Sequence, residues 1–291
     1  MLIREARRQI GLRTFDFDRQ VAVMAIINRT PDSFFDAGTT FGLDLAVQAA
    51  MTAAEEGADW VDIGGLAFSP DTPQIDVAEE IDRVVPVVAG VSASTDVVIS
   101  VDTWRPEVAA AAVAAGASVI NDTSGLRDPS LAELAAQTGA TLVITHSLAV
   151  PHQHHPAPQY DDVVEDVRSF LADRVQRAMG LGVAESQIVV DPGHDLNKST
   201  RHSLEITRRF DRIASLGLPT LAAVSNKDFI GETLGRLRPD RLAGSLVAAT
   251  WCIQQGARVI RMHDVGSSVD AVRMAETIMG WRAPIHERHN V

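Results

Sequence analysis

The sequence predicts an α/β protein built as a single (β/α)8 barrel, and two patterns carry that prediction. Eight short β-branched runs recur along the chain, each closing on a polar residue. Segments of helical periodicity separate them. Near-continuous apolar runs suit strands buried on both faces of a parallel sheet, and eight such units without a long linker suit a barrel. A doubly wound open sheet is the alternative, though it usually stops at about five to seven strands.

In order, the runs are V-A-V-M-A-I-I-N (21–28), W-V-D-I-G-G (60–65), V-V-I-S-V-D (97–102) and S-V-I-N-D (118–122). T-L-V-I-T-H (141–146), I-V-V-D-P-G (188–193), T-L-A-A-V-S (220–225) and R-V-I-R-M-H (258–263) follow. Helices are expected at 44–56, 106–115, 129–138, 161–179 and 268–279. Four strands are preceded by Gly-Ala pairs at Gly57, Gly116, Gly139 and Gly256, where a helix C′ position in the left-handed conformation favours glycine. Before the first strand, I-G-L-R-T-F-D-F-D (10–18) alternates in a strand-like way. Residues 1–20 are therefore expected as a hairpin closing the barrel floor, with 21–291 as the barrel domain.

Composition narrows the function. The chain has 291 residues, 46% hydrophobic and 22% charged, which excludes a disordered, collagen-like or disulfide-stapled protein. Its one cysteine, Cys252, makes no intramolecular disulfide and sits in no nucleophile motif, so a reducing cytoplasm is the expected location. Residues 1–20 lack the apolar core of a signal peptide, and no apolar stretch approaches the ~18 residues of a membrane span. The net charge is −12 with no basic run of five, which argues against a nucleic-acid partner. An anionic small ligand remains compatible, because a few cations converging in a cleft can oppose the global field. Of 26 cationic side chains only Lys198 and Lys227 are lysines, and both fall after the sixth and seventh strands. In this fold that region often binds phosphate.

Barrel active sites lie at the C-terminal ends of the strands. Those ends carry Asn28, Asp62, Asp102, Asn121 with Asp122, His146, Asp191, Ser225 leading to Lys227, and Arg261 with His263. A polar residue at one strand end marks only where the chain leaves the core. Acids, amides, histidines and cations at all eight point to a site. His146 reads equally as a ligand contact or a structural histidine. His152, His154 and His155 lie in a Pro-flanked loop without a companion Cys or acid motif, so they read as solvent-exposed.

N-R-T-P-D-S-F-F-D-A-G (28–38), V-D-I-G-G (61–65), S-V-D-T-W-R-P-E-V (100–108), I-N-D (120–122), D-P-G-H-D-L-N-K (191–198), S-N-K-D-F-I-G (225–231) and R-M-H-D-V (261–265) occur in the order of the dihydropteroate synthase family. The chain resembles that family from about residue 21 onward. Its members are barrels that join a dihydropterin, activated as its pyrophosphate, to the amine of p-aminobenzoate. The resemblance implies that Asp102, Asn121 and Asp191 pair with the pterin edge and that Lys227 meets the ring carbonyl. It implies that Asn28, Arg261 and His263 hold pyrophosphate, Asn28 also contacting Mg2+, and that Asp36 steadies the reacting methylene. Lys227 and Arg261 then share in catalysis with Asp36, the protein working as a homodimer.

The departures from the family pattern cluster at the acceptor. Phe68 and Ser69 stand where the second loop usually has Thr and Arg. Asn226 and Asp228 replace the Arg and Ser of S-R-K-S, whose serine and nearby helix-start amides receive the p-aminobenzoate carboxylate. Asp195 and Leu196 stand where Gly and Phe are usual. A carboxylate at 228 facing an incoming carboxylate at ~4 Å would repel it by up to ~4 kcal/mol at an effective dielectric of ~20. Asp228 also suits a helix N-cap before F-I-G-E-T-L, which would occupy the amides. The pattern resembles a divergent second copy of the synthase, known in actinobacteria. The implied activity is a pterin-pyrophosphate transferase with weak or lost use of p-aminobenzoate and an unidentified amine acceptor. A catalytically inactive pterin-binding homologue and a methyltetrahydrofolate-dependent methyltransferase are the alternatives, the last disfavoured by the anion set Asn28, Arg261 and His263.

Overall fold

The computed structural model describes residues 3–29, 42–69, 71–153 and 157–289. The chain opens with an antiparallel hairpin of β1 (Arg7–Ile10) and β2 (Arg13–Asp16). The next eight strands are β3 (Ala22–Asn28), β4 (Trp60–Gly64), β5 (Val98–Asp102), β6 (Val119–Asp122), β7 (Thr141–Thr145), β8 (Ile188–Asp191), β9 (Thr220–Ala222) and β10 (Ala257–Met262). They lie in sequence order, all parallel, and β10 closes on β3 to complete the barrel. The helices are α1 (Leu43–Glu55), α2 (Val77–Ser92), α3 (Pro106–Ala114), α4 (Ser130–Thr138) and α5 (Val163–Gly180). Then come α6 (Thr200–Arg208), α7 (Phe210–Ala214), α8 (Asp228–Leu234), α9 (Leu242–Gln254) and α10 (Val265–Ile278). No helix among the described residues is long and apolar enough to cross a membrane.

Local chemistry sets the boundaries. Asp162 caps α5 by accepting from the amides of Val164 and Glu165, and Asp264 caps α10 by accepting from Ser267. That second cap starts α10 at Val265, three residues before the periodicity does. All four joint glycines have positive φ: Gly57 at 99°, Gly116 at 120°, Gly139 at 77° and Gly256 at 112°. β9 ends at Ala222, short of its apolar run, and its pairing with β10 shifts register between Ala257 and Val259.

Two apolar clusters result. One lies between the helices and the outer faces of the strands. The other fills the lower barrel with Met24, Trp60, Val98, Val119, Val143, Val189, Leu221 and Val259, one from each strand, and is plugged from below by Ile10, Phe15 and Phe17. The Phe15 ring stands edge-on to Trp60 at 6.0 Å and stacks on Phe17 at 5.7 Å. Asp59, buried just before β4, ties the floor together. It accepts from the Val23 amide and pairs with Arg273 at 2.9 Å and Arg13 at 3.5 Å. With the floor closed, the barrel interior opens at its C-terminal mouth.

Phe15→Ala removes a fully buried ring from this plug and should cost about 3–5 kcal/mol of stability. Urea unfolding followed by circular dichroism checks this, and an unchanged midpoint would show the hairpin to be dispensable to the core.

Candidate functional site

Strand alternation and register build the site above the filled floor. Register pairing places Asn28 beside Gly64, Gly64 beside Asp102, and Asp102 beside Asn121. From the other strands Thr145, Asp191 and Arg261, with Ala223 just beyond β9, also face the mouth, where the cavity is about 340 Å3. That volume fits a small heterocycle. Residues beyond the strand ends, among them Leu66, Phe68, Ser69, Asp195, Asn226, Lys227, Asp228, Arg238 and His263, add to its wall.

A charge network lies at its base. Asp62 is fully buried and accepts from Arg261 Nε at 2.6 Å, Ser100 Oγ at 2.6 Å and Asn121 Nδ2 at 3.0 Å. Arg261 Nη2 donates to Asp102 Oδ2 at 2.9 Å. Burial, then the nearby negative charge of Asp62, pushes the Asp102 carboxyl well above the usual carboxylate range. Asn121 is thereby held with its amide nitrogen toward Asp62 and its oxygen left for the cavity. Asp191 uses Oδ1 on the Gly193 amide at 2.7 Å, and burial raises its carboxyl to about 6. Gly193 is obligatory there: its φ is 67°, and an added Cβ would stand 2.2 Å from the His146 carbonyl oxygen. Three buried polar atoms on the cavity wall, Thr123 Oγ1, Thr145 Oγ1 and His194 Nδ1, have no hydrogen-bond partner among the described residues. Such atoms are costly in a dry interior and useful against a ligand rich in donors and acceptors.

The rim beside Asn226 and Asp228 is arranged around α8. Its N-cap is Lys227, which supplies no side-chain bond, and Asp228 is its first helical residue. The Asp228 carboxylate turns to Arg241, Oδ1 accepting from Nη1 at 2.9 Å, and is 61% exposed. The amides of Asp228 and Phe229 instead donate to Asp195 Oδ2, at 2.6 and 3.3 Å. The expected Asp228 cap is therefore corrected: the amides are occupied, but by Asp195, and the Asp228 charge is offset by Arg241. Asn226 adopts a left-handed φ of 55°, its amide donating to Ser245 Oγ and its carbonyl accepting from Arg241. Phe68 packs edge-on to Trp104 at 5.9 Å, and Ser69 Oγ accepts from the Asp71 amide.

Residues 24–263 match the family described as "Pterin binding enzyme". The chain belongs to the pterin-binding enzymes. It is 43% identical to the "Inactive dihydropteroate synthase 2" of Mycobacterium leprae, across 92% of this chain and 93% of that one. It is 37% identical to the "Dihydropteroate synthase" of Escherichia coli, across 88% of this chain and 91% of that one. The Xanthomonas albilineans dihydropteroate synthase solved with 4-aminobenzoic acid is 40% identical and superposes with a TM-score of 0.87, over 94% of this chain and 98% of that one.

The barrel of this pterin-binding enzyme brings Asn28, Asp102, Asn121, Asp191, Lys227, Arg261 and His263 to one cavity, with Phe68, Ser69, Asn226 and Asp228 on its rim. Asp36, His154 and His155 lie outside the described residues. Arg261 differs from expectation, because two carboxylates already oppose its charge and only part of its guanidinium is left for an anion. His146 is a structural residue. Its Nδ1 lies 2.8 Å from Lys198 Nζ behind the cavity wall, and burial with the nearby ammonium keeps its pKa far below the ordinary histidine value. Lys198 therefore anchors a loop, its Nζ also donating to the Leu196 carbonyl. Asp122 turns outward, accepting from the amides of Ser124 and Leu126. His152 packs against Trp104 at 5.7 Å instead of standing in solvent. The sequence reading missed the roles of Thr123, Thr145, His194, Asp195 and Arg241. Only Asp195 carried a signal, an acid where the family motif has glycine.

Asp62→Ala would strand Arg261, Ser100 and Asn121 together. A loss of about 3–5 kcal/mol is expected from breaking the buried ion pair, measured by urea unfolding against an Asp62→Asn control. A loss under about 1 kcal/mol would mean that the network does not hold the site.

Proposed function

We propose that this chain is a dihydropteroate synthase-type transferase that binds 6-hydroxymethyl-7,8-dihydropterin pyrophosphate with Mg2+, its use of p-aminobenzoate being weak or lost. The supporting observation is the convergence of Asp102, Asn121, Asp191 and Lys227 on one small cavity, with acceptor atoms of Asn121 and Asp191 turned inward. A pterin edge offers an amino group and a ring N–H beside a carbonyl. Carboxylates and an amide oxygen suit the first two, and the Lys227 ammonium suits the third.

Mg2+ fits this donor set in one mode only. No group of three or more His, Cys, Asp or Glu among the described residues could hold a metal ion. Mg2+ typically takes one or two protein oxygens together with substrate phosphates and waters. Asn28, on the cavity wall, would supply such an oxygen, and the ion would neutralise the leaving pyrophosphate. In the proposed reaction the bond from the pterin methylene carbon to pyrophosphate oxygen breaks, and a bond to the acceptor amine nitrogen forms with loss of a proton. The protein's part is positioning and electrostatic stabilisation. His263, with Nδ1 2.9 Å from Ser225 Oγ, and the remaining donors of Arg261 face the departing pyrophosphate. Asp36 would face the methylene.

A pterin-binding protein without turnover is the second reading, favoured by the occupied α8 amides and by the inactive character named for the mycobacterial relative. The methyltetrahydrofolate-dependent methyltransferase has no comparable support. We further propose a cytoplasmic homodimer. Val247 and Trp251, 70% and 45% exposed on α9, give it an apolar face, and sedimentation equilibrium tests it.

Calorimetry with the pterin pyrophosphate and Mg2+, followed by pyrophosphate release with and without p-aminobenzoate, separates the two main readings. Asp191→Ala should weaken pterin binding by roughly 1–3 kcal/mol, and unchanged affinity would remove the proposed pterin site. Binding should also depend on pH. Free Asp191 takes up a proton near pH 6, whereas the ring donors require its ionised form. Affinity should therefore rise with pH through that value, keep rising until Asp102, raised to about 7, is also ionised, and be accompanied by proton release, read from calorimetry in buffers of different ionisation enthalpy. A pH-independent affinity between pH 5 and 8 would refute this role for Asp191.

A further inference from the structure

The cavity has a feature that the proposed reaction does not use: a carboxylate of the protein seated on two backbone N–H groups at the acceptor end. Asp195 lies on the loop after β8, two residues beyond Gly193, and α8 follows β9 on the neighbouring side of the mouth. Asp195 Oδ2 accepts from the amides of Asp228 and Phe229 at 2.6 and 3.3 Å. Oδ1 accepts from Ser203 Oγ at 2.8 Å, and Ser203 Oγ in turn accepts from the Asp195 amide at 3.1 Å. The backbone is committed as well, with φ at 64°, a value that aspartate adopts infrequently. On either side the loop is fixed by the Gly193 amide on Asp191 and by Lys198 on the Leu196 carbonyl. Both oxygens of the carboxylate are therefore held, on a backbone that admits little adjustment.

We infer that Asp195 determines acceptor specificity by occupying, with its own carboxylate, the place and the donors that the carboxylate of an anionic arylamine would need. This rests on the pterin-transferase reading above and on the family resemblance, which implies that the carboxylate of an arylamine such as p-aminobenzoate is received at helix-start amides like those of α8. The exclusion is twofold. The two amides are engaged, and an entering carboxylate would meet a fixed negative charge in the same space. Asp228 adds little, because Arg241 at 2.9 Å already offsets it. A neutral arylamine meets neither obstacle, and a cationic one would be drawn toward Asp195. The acceptor class assigned here is thus a neutral or cationic amine.

The test compares the parent with Asp195→Gly, Asp195→Asn and Ser203→Ala. Each is first titrated with 6-hydroxymethyl-7,8-dihydropterin pyrophosphate and Mg2+, and then, with pterin and pyrophosphate present, with p-aminobenzoate and with its neutral amide. Glycine relieves the left-handed backbone and removes the carboxylate, so p-aminobenzoate binding should tighten by about tenfold or more, as expected when charge-assisted hydrogen bonds become available. Binding of the amide should change by less than about threefold. Asp195→Asn, which keeps an acceptor but not the charge, should fall between. Ser203→Ala, which frees one carboxylate oxygen without touching the backbone, should give a smaller gain in the same direction and carries the test if glycine disturbs the loop. If all variants bind pterin like the parent and the ratio of anion to amide affinity does not move, Asp195 is only a helix cap and the inference is overturned while the pterin reading stands. If neither parent nor variants bind pterin, the functional reading itself fails, and this inference with it.

Discussion

Burying the Asp62 carboxylate inside the barrel obliges four strands to cooperate. An uncompensated carboxylate there would be prohibitive, so β5 supplies the Ser100 hydroxyl, β6 the Asn121 amide and β10 the Arg261 guanidinium. Once Arg261 is drawn down to Asp62, its outer nitrogen meets Asp102, which fixes a second carboxylate at the mouth. Asn121, with its nitrogen engaged below, has only its oxygen left to present above. A single buried charge thus sets the orientation of three side chains that face the ligand. None of the three rotates without leaving a partner unsatisfied, which is the preorganisation a recognition site needs.

The barrel itself was legible in the sequence, because strands buried on both faces leave apolar runs too continuous to mistake and left-handed helix ends demand glycine. The hairpin plug was legible for a related reason: alternation at Phe15 and Phe17 requires a buried face, and the barrel floor offers one. The residues that converge on the cavity could also be named in advance, since the fold brings strand ends together whatever their partners. What could not be read was the direction of each polar side chain beyond the strand ends. His146 and Thr145 are neighbours in sequence, yet alternation sends the threonine into the cavity and the histidine behind it to Lys198. Asn121 and Asp122 divide in the same way. In the loops even alternation is lost, and the partners of Asp228 and Asp195 depend on Arg241 and Ser203, which no local pattern connects to them.

Asp228 shows how this matters for electrostatic reasoning from sequence. Its charge was the natural obstacle to an anionic acceptor when only neighbours along the chain were considered. Arg241 lies thirteen residues on, almost buried against the turn, and its guanidinium also ties the carbonyls of Asn226 and Lys227 to that carboxylate. Gly231 makes the approach possible, since a Cβ there would come within 2.2 Å of the guanidinium. Arg241 and Asp228 therefore stabilise the loop, and the repulsive role we infer passes to Asp195, whose carboxylate pairs with no guanidinium among the described residues.

That acid shares its turn with Asp191, the proposed pterin contact. Between Asp191 and Lys198, Gly193, Asp195 and Asn197 have φ of 67°, 64° and 50°, an alternation that only residues tolerant of the left-handed region sustain at modest strain. Gly193 bonds to the acid below it, Asp195 bonds to the helix across the cavity, and the Asn197 side chain accepts from the Ala149 amide on the next loop. The segment that fixes Asp191, the proposed pterin contact, is thus the one that occupies the α8 amides. Relaxing the turn to free the acceptor amides would also loosen the support of Asp191. Replacing the Asp195 side chain leaves that support intact, because the Gly193 bond and the Lys198 anchor are made without it. On the proposed reading, acceptor choice would therefore diverge through a single side chain in this barrel while the pterin face is retained.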